Sequence, residues 1–402
     1  MAYIEDDSVE ERARGLRARL VEELVEEGVL GDLGWRRAVG EVPRHWFVPG
    51  FFVAEGRDEG SGMVVWEGVT EKRDAERWLG AVYGDRTLVT QFDEVETDWD
   101  AAGRRVGGAP SSSSTLPSLV VRMWVDADVR DGHEVLEIGT GTGYSAALAC
   151  ARLGEDGDVV SVEVDPERAR QAAAALNRCG YRLGLDVADG LYGYPPFAPY
   201  DRIVAACSVR TIPAAWLAQA KPGGKILTTL SGWLYGSGRV LLTVGEDGTA
   251  EGALLPGTIS FMPARGHLPP WCGSPHRWAR LLDGSPRAAR HGPGRISATD
   301  EESFFGRFLA QLAVPTATSA EIDGTVYLLD PVDRAVAALT PEEGGWVVRE
   351  GGPVRLWSRI ERALGAWDDA GRPGPERFRM RVTPAQQTIG LPGVPELSFV
   401  LP

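Results

Sequence analysis

The chain has 402 residues, 43% of them hydrophobic and 25% charged, with a formal net charge of −15. At about 150 residues per domain, this length predicts about two domains, each large enough to bury its own core. An acidic surface repels phosphate backbones and anionic headgroups, so we expect neither nucleic acid nor membranes as partners. The sequence has no apolar run of the ~20 residues that a membrane helix needs. Its acidic start does not resemble a signal peptide, and we therefore expect a cytoplasmic protein.

The cysteines and histidines do not suggest a metal site. The five histidines show no spacing typical of a catalytic triad, and the cysteines lack CxxC pairs, which favours reduced thiols over a zinc site or a disulfide framework. The cysteines are Cys150, Cys179, Cys207 and Cys272.

The first 130 residues read as a mixture of helix and loop. Apolar residues at spacings of three and four predict one amphipathic helix over residues 9–39. Residues 50–110 predict irregular strands and loops. The serine run that ends at Thr115 leaves two interpretations open, a flexible linker or a loop docked against a core, because an apolar helix over 119–125 follows it.

Residues 132–230 alternate strand and helix patterns, which predicts a parallel sheet covered on both faces. Short apolar runs at 135–138 and 159–162 predict the first two strands. Asp165 and Pro166 supply the start signals of the next helix, and Gly180 supplies its end signal. We expect three segments, an N-terminal part (1–130), this α/β core (131–235) and a C-terminal α+β accessory domain for substrate recognition (236–402).

A glycine-rich turn joins the first of these strands to its helix. Gly139, Gly141 and Gly143 let a ligand approach the backbone, and the following helix N-terminus offers free N–H groups. The spacing is G-x-G-x-G with Glu137 before it, whereas dinucleotide sites prefer G-x-G-x-x-G. Glu163 ends the next strand about 20 residues further on, where a carboxylate can accept hydrogen bonds from both ribose hydroxyls. A helix-start carboxylate is the simpler alternative for Glu163.

This turn resembles the first motif of S-adenosylmethionine-dependent methyltransferases. The resemblance implies S-adenosyl-L-methionine as cofactor and S-adenosyl-L-homocysteine as product. Asp189 and Gly190 follow the third predicted strand and are candidates to approach the adenine, although Asp189 could also be a solvated turn residue. The predicted cofactor-binding residues are Glu137, Gly139, Thr140, Gly141, Gly143, Tyr144, Glu163, Val164, Asp189 and Gly190.

Five segments carry a more specific resemblance. In chain order they read RHWFVP (44–49), TLPSLVVRM (115–123), VLEIGTGTGY (135–144), APYDRI (198–203) and LAQAKPGG (217–224). They are similar to the protein-L-isoaspartate O-methyltransferase family across residues 10–232. The resemblance implies a doubly wound, Rossmann-like class I methyltransferase sheet and methyl transfer to a side-chain carboxylate of a peptide.

Two departures from the family concern the acceptor site. Where the family has a loop similar to T-I-S-Q-P, residues 113–117 read S-S-T-L-P, so Thr115 matches the family's serine and Leu116 replaces its glutamine. Segments 50–80 and 91–110 are longer, and a C-terminal region is added. The serine run and the added C-terminal region resemble methyltransferases of graspetide and lanthipeptide pathways, which methylate an aspartate of a modified precursor peptide whose ester then closes to an aspartimide. We take this function as the main hypothesis, with isoaspartyl repair as the alternative.

An aspartate acceptor is ionised at neutral pH and needs no general base. It does need hydrogen-bond donors that align it with the methyl group. Thr115, Ser114 and Ser113 are the leading candidates for this catalytic role, followed by His45 and Arg44, for which a packing role stays open. Segment 261–267 also offers basic donors, although a structural turn is the simpler interpretation.

Two other classes of function stay open at this point. A noncatalytic adenosylmethionine-binding recognition module would keep the glycine turn without turnover. An NAD-dependent oxidoreductase is disfavoured by the glycine spacing. The oligomeric state is open, with a monomer as one option.

Overall fold

The computed structural model describes residues 7–154 and 157–402. Contacts divide the chain into two compact units, Met1–Ala206 and Cys207–Pro402. The three-segment division expected from the sequence stays a prediction. Among the described residues, no helix combines the length and apolarity required to cross a bilayer. The four cysteines are free thiols.

The N-terminal helical region consists of α1 (Asp7–Glu26), α2 (Leu33–Glu41) and α3 (Arg44–Phe47). The single helix expected over 9–39 is therefore wrong. The chain turns at Gly28, whose φ of +74° lies in the left-handed region that ends helices. Asp32 then caps α2 by accepting a hydrogen bond from the Trp35 N–H (3.0 Å).

A five-stranded antiparallel sheet follows, where only irregular strands and loops were expected. Its strand order is β4-β2-β1-β3-β5. The serine run forms an edge strand, so neither the linker nor the docked loop is correct. Phe52 and Phe92 form the core of this sheet, and Trp66 and Trp99 pack against them. The elements are β1 (Gly50–Arg57), β2 (Val64–Thr70), α4 (Ala75–Val82), β3 (Leu88–Phe92), β4 (Arg105–Val106) and β5 (Pro110–Ser114).

The α/β core of the first unit confirms the expected doubly wound class. Four parallel strands lie in the order β8-β7-β6-β9. Because their carboxyl ends meet at one edge of the sheet, the loops that follow them share that edge. The elements are α5 (Pro117–Asp126), β6 (Glu134–Ile138), α6 (Tyr144–Leu153), β7 (Asp158–Glu163), α7 (Pro166–Arg178), β8 (Gly184–Val187) and β9 (Tyr200–Val209).

The second unit is α+β, as expected, and contains two antiparallel sheets. One has the order β10-β11-β12-β18-β19-β20, and the other has the order β13-β17-β16-β15-β14. Phe305 of α10 packs against Phe308, Trp367 and Phe378 in an aromatic core. The elements are α8 (Ala214–Gln219), β10 (Ala220–Ser231), β11 (Ser237–Val244), β12 (Ala250–Leu254), α9 (Pro275–Trp278), β13 (Arg287–Ala288), α10 (Glu301–Ala313), β14 (Thr318–Ile322), β15 (Thr325–Asp330), β16 (Ala335–Glu342), β17 (Gly345–Gly351), α11 (Leu356–Asp369), β18 (Arg379–Val382), β19 (Gln387–Gly390) and β20 (Ser398–Val400).

Candidate active site

The glycine turn leaves β6 with three left-handed residues. Gly139, Gly141 and Gly143 have φ values of +91°, +56° and +89°. A side chain at Gly143 would press on Ala172 of α7, at 3.0 Å between the two Cβ atoms. A Cβ at Gly141 would meet only the Ser113 carbonyl oxygen, at 3.6 Å. The turn therefore packs closely at its end but keeps open space at its centre, where a ligand can reach the backbone.

Glu163 lies directly across from this open centre. The residue is 7% exposed, and its carboxylate accepts hydrogen bonds from the N–H groups of Gly141 (2.8 Å) and Asp165 (3.0 Å). Asp165 in turn caps α7 by accepting from the Glu167 N–H (3.0 Å). The next side chain, Val164, is apolar and 41% exposed. A fixed carboxylate and an exposed apolar side chain beside open backbone suit the ribose and base of an adenosyl cofactor.

Glu137 lies beneath the turn and is fully buried. Its Oε2 accepts a hydrogen bond from Ser161 Oγ (2.7 Å), and Ser161 Oγ lies 2.6 Å from Thr140 Oγ1. Burial raises the Glu137 pKa from 4.5 to about 7, against the lowering effect of hydrogen bonds from Ser145 and Ser161. The structure places Glu137 and Thr140 where they support the turn from below.

Asp189 and Gly190 follow β8, at the same edge of the sheet. The exposed Asp189 carboxylate accepts from the Leu191 N–H (3.0 Å) and begins a short 3-10 turn. Gly190 is buried, and a Cβ there would clash with Ile138 of β6. The Tyr192 ring is 73% exposed in the same turn. The predicted approach of these residues to the adenine stays a prediction.

Strand β5 brings the serine run to the cofactor turn. It pairs with β3 so that Ser113 lies opposite Val89 and Ser114 opposite Leu88. Because side chains alternate along a strand, Ser114 points to the buried face, whereas Ser113 is half-buried. Thr115 is also half-buried, and its hydroxyl makes no hydrogen bond with any residue of 7–154 or 157–402. Ser113 and Thr115 thus retain the hydroxyls best placed to serve an acceptor.

Arg44 fixes the end of β5 and the following Thr115 from within the protein. Its guanidinium is fully buried and donates to the carbonyl oxygens of Val82 (2.8 Å), Arg86 (3.1 Å) and Thr115 (2.9 Å). It also donates to Ser114 Oγ (3.3 Å). Burial lowers the Arg44 pKa to about 10, so the side chain stays charged at neutral pH. The sequence suggested Arg44 as a hydrogen-bond donor to the acceptor carboxylate. It did not reveal that Arg44 instead holds several backbone carbonyl groups together, because these partners lie up to 71 residues away in the chain.

His45 and Tyr144 are enclosed by packing. Nε2 of His45 lies 2.9 Å from Glu10 Oε1, and Nδ1 lies 2.7 Å from the Tyr83 hydroxyl. Burial lowers the His45 pKa, against the opposing effect of Glu10. The Tyr144 ring is buried, with its centroid 6.0 Å from that of Phe47. Both side chains are thus engaged within the protein, and their predicted roles at the ligand gain no support from this geometry.

The parallel sheet, the G-x-G-x-G turn and the carboxylate at the end of the second strand together define a class I S-adenosylmethionine-dependent methyltransferase fold. The model of the protein-L-isoaspartate (D-aspartate) O-methyltransferase family matches residues 85–232. A relative named protein-L-isoaspartate O-methyltransferase from Methanopyrus kandleri is 34% identical over 225 residues, which cover 56% of this chain and 79% of the relative. One of the same name from Methanosarcina mazei is 30% identical over 243 residues, or 60% of this chain and 79% of the relative.

The chain therefore belongs to the protein-L-isoaspartate O-methyltransferase family, whose members are protein carboxyl methyltransferases that use S-adenosyl-L-methionine. A solved structure entitled protein-L-isoaspartate O-methyltransferase has the same fold, with a TM-score of 0.54 and 23% identity over 94% of this chain and 99% of the other. That likeness extends over both units.

Proposed function

We propose that this protein methylates the free carboxylate of an L-isoaspartyl residue in peptides or proteins. The observation that carries the proposal is the approach of β5 to the glycine turn, at 3.6 Å between the Ser113 carbonyl oxygen and a Cβ position at Gly141. This approach holds the hydroxyl-bearing loop beside the predicted cofactor position, in a chain whose relatives are named for isoaspartate.

The residues of this chain supply alignment instead of proton transfer. A carboxylate acceptor is ionised at neutral pH, so no side chain has to remove a proton. S-adenosyl-L-methionine, held by the Gly139–Gly143 turn and Glu163, would supply an electrophilic methyl group on a sulfonium, and transfer of this methyl group to an acceptor oxygen would leave a methyl ester and S-adenosyl-L-homocysteine. In our proposal the Thr115 hydroxyl donates to the other acceptor oxygen and aligns the attack.

A second candidate acceptor is an aspartate side chain in a modified ribosomal precursor peptide, followed by closure of the ester to an aspartimide. The residue that favours it is Leu116, which stands where the family has a polar glutamine and changes the acceptor wall. Leu116 is half-buried, and its N–H donates to Thr87 Oγ1 (3.3 Å). No feature of the described residues identifies a precursor peptide.

The two candidates are separated by a pair of peptides of one sequence, with either L-isoaspartate or L-aspartate at a single position. The full-length protein and S-adenosyl-L-methionine are incubated with each peptide, and methyl ester formation is followed by mass spectrometry. We expect methylation of the isoaspartyl peptide only. Methylation of the aspartyl peptide alone would replace our proposal by the second candidate, and methylation of neither, with intact cofactor binding, would contradict both.

A further inference from the structure

The segment between β12 and α10 differs in charge from the rest of the protein. Residues 256–298 contain six arginines and three histidines but a single acidic residue, Asp283, in a chain of net charge −15. Asp283 is paired with Arg355 (2.9 Å) and does not compensate its own segment. Two of the arginines are paired with acidic residues elsewhere in the second unit, Arg287 with Glu361 (2.8 Å) and Arg295 with Asp368 (2.8 Å).

The middle of the segment keeps uncompensated positive charge. His276 and Arg277 lie in α9, and Arg280 lies in the 3-10 turn that follows. All three are exposed. In the part of the chain that the structure describes, neither arginine has a carboxylate partner. Their charge is therefore available to an external ligand.

The loop before α9 presents an aromatic side chain to solvent. Trp271 is 91% exposed, although tryptophan is highly buried on average. The loop is nevertheless well held. The Trp278 indole N–H donates to the Cys272 carbonyl (2.8 Å), and the Trp233 indole N–H donates to the His267 carbonyl (3.1 Å). Because both sides of the Trp271 loop are fixed, its exposure reflects an ordered surface.

We propose that Trp271, His276, Arg277 and Arg280, here called the basic patch, bind an acidic polypeptide segment. Unpaired guanidinium groups attract carboxylates and fork onto them, and an exposed tryptophan is a common anchor in protein interfaces. A long phosphate backbone is repelled by the net charge of −15, whereas a short acidic peptide need touch only the basic patch. The basic patch lies within the second unit and contains none of the residues assigned to methyl transfer, so this inference goes beyond the proposed function.

The proposal is tested by binding in the absence of cofactor, so that it does not depend on methyl transfer. The full-length protein is titrated into a fluorescent peptide of Asp, Glu and Gly, and anisotropy is recorded at two ionic strengths. Asn, Gln and Gly replace these residues in the control peptide. The test variant is Arg277→Glu with Arg280→Glu. Its matched control is Arg349→Glu with Arg359→Glu, which makes the same charge change at two exposed arginines of the same unit.

We expect the test variant to lose about tenfold in affinity for the acidic peptide and the matched control to stay within about twofold. Trp271→Ala should weaken binding while the salt dependence remains. Turnover of a short neutral isoaspartyl peptide should be unchanged in all three variants. Equal losses in test and control, or no wild-type preference for the acidic peptide over the amide peptide, would overturn the proposal. Tighter binding of a single-stranded RNA than of the peptide would replace it by a nucleic-acid surface.

Discussion

Gly141 combines a left-handed backbone with open space on its Cα, and we expect Gly141→Val to weaken cofactor binding strongly. A β-branched residue at φ +56° costs of the order of 1–3 kcal/mol, and its side chain would fill the space beside the Ser113 carbonyl. The dissociation constant for S-adenosyl-L-methionine, measured by calorimetry, should rise by about tenfold or more. Gly180→Val is the control, since Gly180 has φ +79° and nothing within 4 Å of a Cβ but lies at the end of α7. An equal loss of affinity in both variants would show that the glycine turn does not bind the cofactor.

Thr115 carries the hydroxyl that we assign to the acceptor, and Thr115→Ala should lower turnover of the isoaspartyl peptide by about tenfold or more because the nucleophile loses its alignment. The affinity for S-adenosyl-L-methionine should stay unchanged. Thr115→Ser keeps the hydroxyl and should recover most of the rate. Ser114→Ala is a useful comparison, since Ser114 Oγ is engaged by Arg44. If Thr115→Ala turned over the peptide at the wild-type rate, a residue other than Thr115 would have to contact the acceptor.

Glu137 gives the stability of the protein a specific pH dependence. Burial raises its pKa in the folded state from 4.5 to about 7, so the folded state holds this proton more tightly than the unfolded state. The resulting stabilisation is complete below pH 4.5 and is lost as the pH rises through about 7. Glu137→Gln does not titrate and keeps an oxygen for the Ser161 hydroxyl. Its free energy of unfolding relative to wild type should therefore increase by about 3 kcal/mol across this range in urea titrations. If the difference in free energy of unfolding between Glu137→Gln and wild type did not change with pH, the raised pKa of Glu137 would be contradicted.

At the scale of secondary-structure elements, Arg44 joins α3 to the end of α4, to the turn before β3 and to the residues between β5 and α5. Arg44→Lys cannot reach all of these carbonyl groups at once, because one ammonium replaces a planar fork of five donors. We expect a loss of about 2–4 kcal/mol in the free energy of unfolding. The folded variant should also turn over the peptide more slowly, because Thr115 is no longer held.

The exposed neighbour Arg86 provides the control for Arg44. Arg86→Lys should change the free energy of unfolding by less than about 0.5 kcal/mol, because its side chain is exposed and only its carbonyl accepts from Arg44. If the two lysine variants were equally stable, the hydrogen bonds of Arg44 would not be what holds Ser114 and Thr115 in place.

At the scale of the whole molecule, cofactor binding should protect one unit selectively from hydrogen exchange. S-adenosyl-L-methionine is expected to slow exchange at residues 139–143, 163–165 and 189–191, since a ligand that binds only the closed form suppresses local opening. The sheet formed by β13–β17 should show no change. Mass spectrometry of the full-length protein with and without cofactor makes this comparison. Protection confined to residues 207–402 would contradict the site.

The α/β core was predicted well because its signals are local. The apolar run of β6 and the Asp165–Pro166 start of α7 depend on neighbours within a few residues, and the structure confirms both elements. The N-terminal sheet was missed because four successive serines have little intrinsic preference for a strand. Strand β5 forms because β3, more than 20 residues earlier in the chain, pairs with it.

The sequence by itself determined the family and the cofactor class, since the glycine turn, the acidic strand end and five ordered segments can be recognised without coordinates. Only the tertiary structure decided which polar residues of those segments remain available. Ser113 and Ser114 are chemically identical in the sequence, yet they lie on opposite faces of β5, and the buried Arg44 engages Ser114. The physical reason is that side-chain availability depends on strand register and on partners some 70 residues away, and neither is encoded in a local motif.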